Sequence, residues 1–259
     1  MFSTFFSKVG RRLLRNQLLN AFWTRIEDRC SAVMFYLNAE SRRAAAKRLE
    51  QCQNVDDHYE FAVECFGPHQ IKIEITEFLK MARNEKPRHV CEIGTASGGT
   101  NFLLSHALPD VSLMMGVDLF VRNKSRLRYF MRQGQQFYYL DGSSYAAETV
   151  EKAKRLLAGR QLDVLFIDGD HSYLGVKEDF LCYKQFVREG GLIAFHDIIT
   201  DYSTRYGQHT GRYGGDVPFL WEKIKPCYPF YEFVQDKNQD GLGIGVIRYS
   251  SKVKLPDDL

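Results

Sequence analysis

Two short segments of this chain gather residue types that can do acid–base and cation chemistry. They are Phe166-Ile167-Asp168-Gly169-Asp170-His171-Ser172-Tyr173 and Phe195-His196-Asp197, and each closes an apolar run. If both runs are strands of one parallel sheet, their carboxyl ends lie side by side and collect carboxylates and imidazoles at one edge. An oxygen-rich cluster of that kind suits a hard cation such as Mg2+, with Asp168 and Asp197 as the natural ligands. His196 or Asp170 would supply a third position, and an imidazole there would also suit Mn2+ or Fe2+. His171 is then left as a general base, since an ordinary imidazole pKa of ~6.5 makes it partly available at neutral pH. Blander readings stand beside these. Asp170 reads equally as a helix-capping carboxylate and His171 as a helix-entry residue. His196 reads equally as a packed strand-end histidine.

Upstream, Val90–Thr100 (VCEIGTASGGT) has the order apolar run, glycine loop, helix start. Glycines let a backbone turn tightly and approach a ligand with no Cβ in the way, and the amides of a helix N-terminus then face that ligand. A phosphate-gripping P-loop would end in Gly-Lys-Ser/Thr, but here the residues are Gly98-Gly99-Thr100. A dinucleotide loop would read GxGxxG, and the glycine spacing here is wider. What remains is a glycine loop opening on an acid, Glu92, which suits a ligand carrying positive charge, such as a sulfonium with an ammonium group. An acid ~20 residues beyond such a loop typically accepts hydrogen bonds from ribose hydroxyls, and Asp118 closes the next apolar run at about that distance. Asp141-Gly142-Ser143 closes the one after it, a small polar tip suited to an adenine edge.

The elements that must position these residues follow from the alternation of patterns. Short apolar runs at His89–Ile93, Ser112–Val117, Phe137–Leu140, Val164–Ile167 and Leu192–Phe195 read as strands. Helical stretches at Gly99–Ala107, Ser144–Leu157 and Gly175–Val187 separate them. Such alternation means a doubly wound α/β architecture, a mostly parallel sheet with helices on both faces. Tyr231–Gln235 and Ile244–Tyr249 read as a closing antiparallel hairpin. Thr200–Gly215 is long, aromatic and Gly-rich, the pattern of a functional loop over a site. Tyr202, Tyr206 and Tyr213 in it would line a pocket or simply pack the loop. Before about residue 86 helix formers dominate, as in Ala44–Glu50, and Ile71–Arg83 reads as a helix leading into the core.

Bulk properties narrow the class. The 259 residues suffice for one large domain with an appendage, and a net charge of +3 gives no argument for a nucleic-acid partner. The six cysteines form no CxxC pair and no zinc spacing, so reduced thiols and a cytoplasmic setting are expected. No apolar run reaches the ~18 residues of a membrane span. Lys8, Arg11, Arg12 and Arg15 sit within an apolar N-terminal stretch that reads as a basic amphipathic helix. It would touch a membrane surface or acidic partner, or else dock within the protein or a homo-oligomer with its basic face solvated.

Taken in order, EIGTASGGT, VDLF, DGSS, FIDGDHSYLGVKEDF and GGLIAFHDI resemble the class I S-adenosylmethionine (SAM)-dependent methyltransferases. More narrowly they resemble the branch of macrocin and mycinamicin O-methyltransferases and the cephalosporin hydroxylase-associated protein. The resemblance covers about residues 64–249. It implies a Rossmann-like, seven-stranded sheet, with residues 1–63 as a helical extension for lid or oligomer contacts and 64–259 as the methyltransferase domain. It implies SAM held by Glu92, Gly94, Thr95, Ser97, Gly98, Gly99 and Thr100, with Asp118 on the ribose, Asp141, Gly142 and Ser143 near adenine, and Asp168 beside them. It implies a divalent ion on Asp168 and an acidic pair at the fifth strand, where this chain has His196-Asp197. His171 takes the place of the base. The favoured reaction is methyl transfer to a hydroxyl oxygen of a small molecule, with a sugar, a polyketide or a phenol all compatible; the alternative is a metal-free or N-directed methyltransferase, or a non-catalytic SAM-fold binding protein.

Overall fold

A computed structural model describes residues 17–259. Lys8, Arg11, Arg12 and Arg15, and with them the expected basic helix and its membrane-surface contact, lie outside the described residues. The chain divides into two compact units, one up to Lys47 and one from Arg48 to Leu259. In the first, helix α1 (Gln17–Leu37) is followed by the start of α2 (Ala39–Glu50). Between them Asn38 accepts a hydrogen bond from the Ser41 amide at 3.0 Å. No helix among the described residues is long and apolar enough to cross a membrane.

The second unit opens with α3 (Val55–Cys65), so the boundary expected at residue 63 falls inside a helix of this unit. The physical reason is packing. Phe61 and Ala62 are fully buried, and Phe61 stacks on Phe102 at 5.1 Å. Its start was also written locally, because Asn54 and Asp57 form a reciprocal capping box. Helix α4 (Lys72–Asn84) follows, with Ile75, Phe78, Leu79 and Ala82 on one buried stripe.

The alternating region then gives β1 (His89–Ile93), α5 (Gly99–His106), β2 (Leu113–Asp118), α6 (Lys124–Tyr129), β3 (Gln136–Asp141), α7 (Ala147–Leu157), β4 (Leu162–Ile167), α8 (Tyr173–Tyr183) and β5 (Val187–His196). A short α9 (Tyr202–Tyr206), α10 (Val217–Ile224), β6 (Phe230–Phe233) and β7 (Ile244–Arg248) complete it. The seven strands form one sheet in the order β3-β2-β1-β4-β5-β7-β6. The first five are parallel, and β7 runs antiparallel to both β5 and β6. This is the doubly wound sheet with a closing hairpin that the sequence pattern implies. The central strands are apolar on both faces because helices cover both. Helix α10 was not legible as an element. It buries Trp221 against β7, where Gly245 leaves room: a Cβ there would come within 2.6 Å of the indole.

Strand order reverses between β1 and β4. Ligands of open α/β sheets bind beyond the carboxyl ends at such a switch point. Ile93 pairs with Ile167 there, so Gly94 and Asp168 emerge side by side.

Candidate active site

Gly94 shows how tightly the two strand ends are joined. It has φ +86°, and a Cβ on it would lie 1.8 Å from the Asp168 carbonyl oxygen. The Asp168 amide donates to the Ile93 carbonyl at 2.8 Å. Only glycine permits this approach, which brings the loop after β1 against the tip of β4.

A cavity of about 530 Å³ opens at this edge. Gly94, Asp118, Gly142, Ser143 and Asp168 line it, as do Ile93, Ala96, Leu119, Ser144 and Tyr145, which the sequence reading did not single out. The Asp118 carboxylate accepts from the Ala96 amide at 2.8 Å and from the Phe120 amide at 3.0 Å. It is thereby held at the rim, and a carboxylate has further lone pairs to offer a hydroxyl. Asp141 is placed behind the rim. It accepts from the Val121 amide at 3.0 Å and pairs with Lys124.

The rest of the glycine loop turns away from the cavity. Glu92 is fully buried and accepts from Asn101 Nδ2 at 2.9 Å. Burial pushes its carboxyl up to about 8, so at neutral pH it is mostly protonated. Glu92 therefore braces the start of α5 from inside and does not line the cavity. Thr95 is buried beside it. Ser97 donates to the Gly67 carbonyl at 3.3 Å. A Cβ on Gly98 would meet Leu127 at 2.7 Å, and one on Gly99 would meet Pro68 at 2.6 Å. These glycines serve close packing of the loop, Gly98 against α6 and Gly99 against the segment before α4.

Thr100 leads to a residue the sequence reading missed. Its hydroxyl donates to Gln70 Oε1 at 2.5 Å, and Gln70 Nε2 donates to Asp168 Oδ2 at 2.9 Å. The ionised carboxylate only accepts, so it fixes the amide with Nε2 towards Asp168 and leaves Oε1 to accept from the hydroxyl. Gln70 is buried and ties the helix after the glycine loop to the carboxylate at the tip of β4. Nothing around Gln70 in sequence signals this, because its partners lie 30 and 98 residues away.

The other oxygen of Asp168 faces the histidines. His196 Nδ1 lies 3.1 Å from both Asp168 Oδ1 and Asp197 Oδ2. Its ring is buried, and Nε2 has no hydrogen-bond partner among the described residues. Burial opposes the charged form of His196, but the two carboxylates outweigh it and raise its pKa well above the ordinary value. His171 Nε2 lies 3.4 Å from Asp168 Oδ1, and Nδ1 lies 3.1 Å from the Tyr213 carbonyl and 3.5 Å from Asp197 Oδ2. Burial pulls His171 down, and Asp168 and Asp197 push it past that to about 9. Beside these two carboxylates His171 is thus held in its charged form to higher pH than an ordinary imidazole. Asp168, though buried, is held well below the usual carboxylate range by His196 and His171.

One ligand atom from each of Asp168, His171 and Asp197 lies within 4.8 Å of the others. His171 thus joins His196, the imidazole expected there from the sequence, beside the two carboxylates. Asp170 sits at the cavity but accepts from the Ser172 amide at 2.9 Å and the Tyr145 hydroxyl at 3.2 Å, and so shapes the entry to α8. Asp197 has φ +62°, and Leu242, whose amide donates to Asp197 Oδ1 at 3.1 Å, has φ +63°. Left-handed backbone at non-glycine residues costs of order 1–3 kcal/mol each and persists where the surroundings hold it. Buried Glu74 does much of that holding. It accepts from the Gly243 amide at 3.0 Å and from Gln239 Nε2 at 2.7 Å.

The 200–215 segment closes over this cluster. Tyr213 stacks on His171 at 6.1 Å and 7°. The Asp216 amide donates to the His171 carbonyl at 2.7 Å. A second cavity, about 380 Å³, lies under the segment and shares Gly94, Ala96, Asp168, His171 and Tyr213 with the first.

The strand order is that of the Rossmann-like, class I methyltransferase fold. Residues 91–198 match the model of the family described as Methyltransferase domain. An uncharacterised protein of Acanthamoeba polyphaga mimivirus is 32% identical over 152 residues, 53% of this chain and 66% of that protein. The fold is similar to that of MycE methyltransferase from the mycinamycin biosynthetic pathway, solved with Mg, SAH and mycinamycin VI. That similarity has a TM-score of 0.53 at 17% identity and covers 79% of this chain and 56% of that one. It is also similar to the O-methyltransferase TomG from Streptomyces achromogenes, solved with SAM, at a TM-score of 0.51 and 13% identity over 75% and 89% of the chains. This chain therefore spans a little over half of MycE and about two thirds of the viral protein.

Proposed function

We propose that this protein transfers a methyl group from SAM to a hydroxyl oxygen of a small molecule. The observation that carries the reading is the meeting of two cavities at Asp168 and His171. A donor in the larger and an acceptor in the smaller would face each other across these two residues. Asp118 would hold the ribose, Gly142 and Ser143 the base, and Gly94 and Ala96 the region next to the methionine part. Aligning acceptor oxygen and methyl carbon in this way supplies a large part of the acceleration of a bimolecular step.

The proton of the acceptor hydroxyl goes to His171. The Tyr213 carbonyl accepts from Nδ1, which leaves Nε2 as the basic nitrogen. The oxygen–carbon bond forms as the carbon–sulfur bond breaks, and the sulfur keeps that electron pair. A base must be neutral, so the charge of the two carboxylates has to be taken up for His171 to act near neutral pH. The Asp168 and Asp197 carboxylate oxygens lie within 4.8 Å of each other and suit a divalent cation, with His171 beside them left free as the base. Asp168 and Asp197 would hold it, and it would lower the pKa of His171 and polarise the acceptor hydroxyl. His196, already donating between the same two oxygens, would keep the carboxylates aligned. That contact also favours a second reading, in which the imidazole alone balances the carboxylates and transfer needs no metal.

Calorimetry with SAM, followed by detection of SAH formed with hydroxyl acceptors in the presence of Mg2+ or EDTA, tests both. Binding of SAM and EDTA-sensitive transfer are expected. Absence of SAM binding overturns the proposal, and full activity in EDTA selects the metal-free form.

A further inference from the structure

The smaller cavity carries information about the acceptor that the larger one does not. Its floor is Asp168 and Asp197, and each of those carboxylates is already answered by an imidazole. Its walls from Tyr213 and Leu242 are uncharged. Near its mouth stand Arg212 and His69, both exposed. Among the described residues the Arg212 guanidinium makes no ion pair or hydrogen bond; only its backbone amide is engaged, with Thr210 Oγ1 at 3.3 Å. The neighbouring Arg205 is different, since it bonds the Gln239 carbonyl and lies over Tyr202 and Tyr206. The acids nearest in the fold are also occupied. Asp201 accepts from the Thr204 and Gly214 amides, and Asp240 from the Tyr202 amide. Arg212 is thus a permanent positive charge on the cavity wall that the protein does not neutralise. His69 adds a ring N–H donor whatever its charge.

From this we infer that the acceptor is a small hydroxy acid, whose carboxylate or phosphate is gripped by Arg212 and His69 while its hydroxyl reaches Asp168 and His171. The inference rests on the methyltransferase reading above. A guanidinium presents a planar fork of donors that matches a carboxylate or phosphate in two parallel hydrogen bonds, so it discriminates strongly for an anion over a neutral analogue. A volume near 380 Å³ lies at the small end of ligand sites and suits a single ring with its substituents. The anion sits at the mouth, away from the carboxylates, and the hydroxyl sits at the floor. One molecule then satisfies both ends of the cavity.

The test uses the full chain loaded with SAH and matched probes: glucuronate against glucuronamide, 3,4-dihydroxybenzoate against 3,4-dihydroxybenzamide, and glucose 6-phosphate against glucose. Binding is measured by calorimetry with Mg2+ present. At least one acid should bind ten-fold or more tighter than its neutral partner. Arg212→Gln should erase that gap while changing SAH affinity less than two-fold, and Arg212→Lys should retain part of it. The carboxylate and phosphate pairs separate the two anion chemistries. Equal binding of acid and neutral probes, no binding of any acid, or a gap that survives in Arg212→Gln overturns the inference. Failure to bind SAH in the wild type overturns the methyltransferase reading instead, and the two failures are thereby distinguished.

Discussion

The two halves of the sheet edge are built differently. At the ends of β1, β2 and β3 the cavity is shaped by backbone: glycines that admit close approach, and carboxylates whose partners are main-chain amides, as with Asp118. At the ends of β4 and β5 it is shaped by charged side chains that answer one another: Asp168, His171, His196 and Asp197. The first arrangement rests on main-chain amides and close backbone approach, which suits the proposed holding of a donor molecule. The second rests on ionisable side chains, which suits the proposed proton transfer. The difference teaches that substitutions in the first half should change binding of SAM, and substitutions in the second should change the rate.

The largest separation is expected at His171. His171→Ala should lower kcat about 10²- to 10⁴-fold, the usual range for losing a general base, and leave the SAM Kd within about three-fold. Asp118→Ala should do the reverse, weakening SAM about 10- to 100-fold in calorimetry, about 1.4–2.8 kcal/mol, with kcat at saturating SAM much less affected. A loss of rate without loss of binding at Asp118 would break the division.

Gln70 sits on the seam and sharpens it. Gln70→Leu removes the donor to Asp168 while keeping the volume close, and should lower kcat by roughly 10-fold, at the mild end of what outer-shell partners cost. Its SAM Kd should barely move. An equal change in Kd and kcat would mean that Gln70 serves the loop and not the carboxylate.

The pH dependence follows from His171, raised to about 9 by Asp168 and Asp197 against burial. In EDTA the rate should climb with pH until about 9, because the neutral imidazole is the active form. Added Mg2+ should move that limb to lower pH. A metal-independent limb near 6.5 would contradict the coupling of His171 to the carboxylates.

The smallest effect is expected at Glu92. Its folded pKa, about 8, lies above that of an unfolded glutamate, so its contribution to stability is full below about 4.5 and is lost as pH rises through 8. Glu92→Gln does not titrate, so its melting temperature should equal that of the wild type near pH 4.5 and exceed it at pH 8. The SAM Kd should stay within about three-fold. A large rise in Kd would return Glu92 to the role its position after β1 suggests in sequence.

What was legible in the sequence was what is local. The alternation of apolar runs and helical stretches marks the parallel sheet, and the Asn54–Asp57 spacing writes its own helix start. The motifs at 92–100, 118, 141–143, 168–171 and 196–197 each announce a strand tip. Residue type could not say which side chains face the cavity. Glu92, Gly98, Gly99 and Thr100 share a motif with Gly94, yet they pack inward against Asn101, Leu127, Pro68 and Gln70. Likewise His171 and His196 are alike in sequence, and only the structure shows His196 buried with Nδ1 3.1 Å from both Asp168 and Asp197, and His171 at 3.4 and 3.5 Å from the same carboxylates. Gln70, Glu74 and Leu242 carry no motif at all. Their parts come from contacts between segments far apart in the chain, which hydrophobic periodicity and turn chemistry do not encode and only the closing of the sheet and its last hairpin creates.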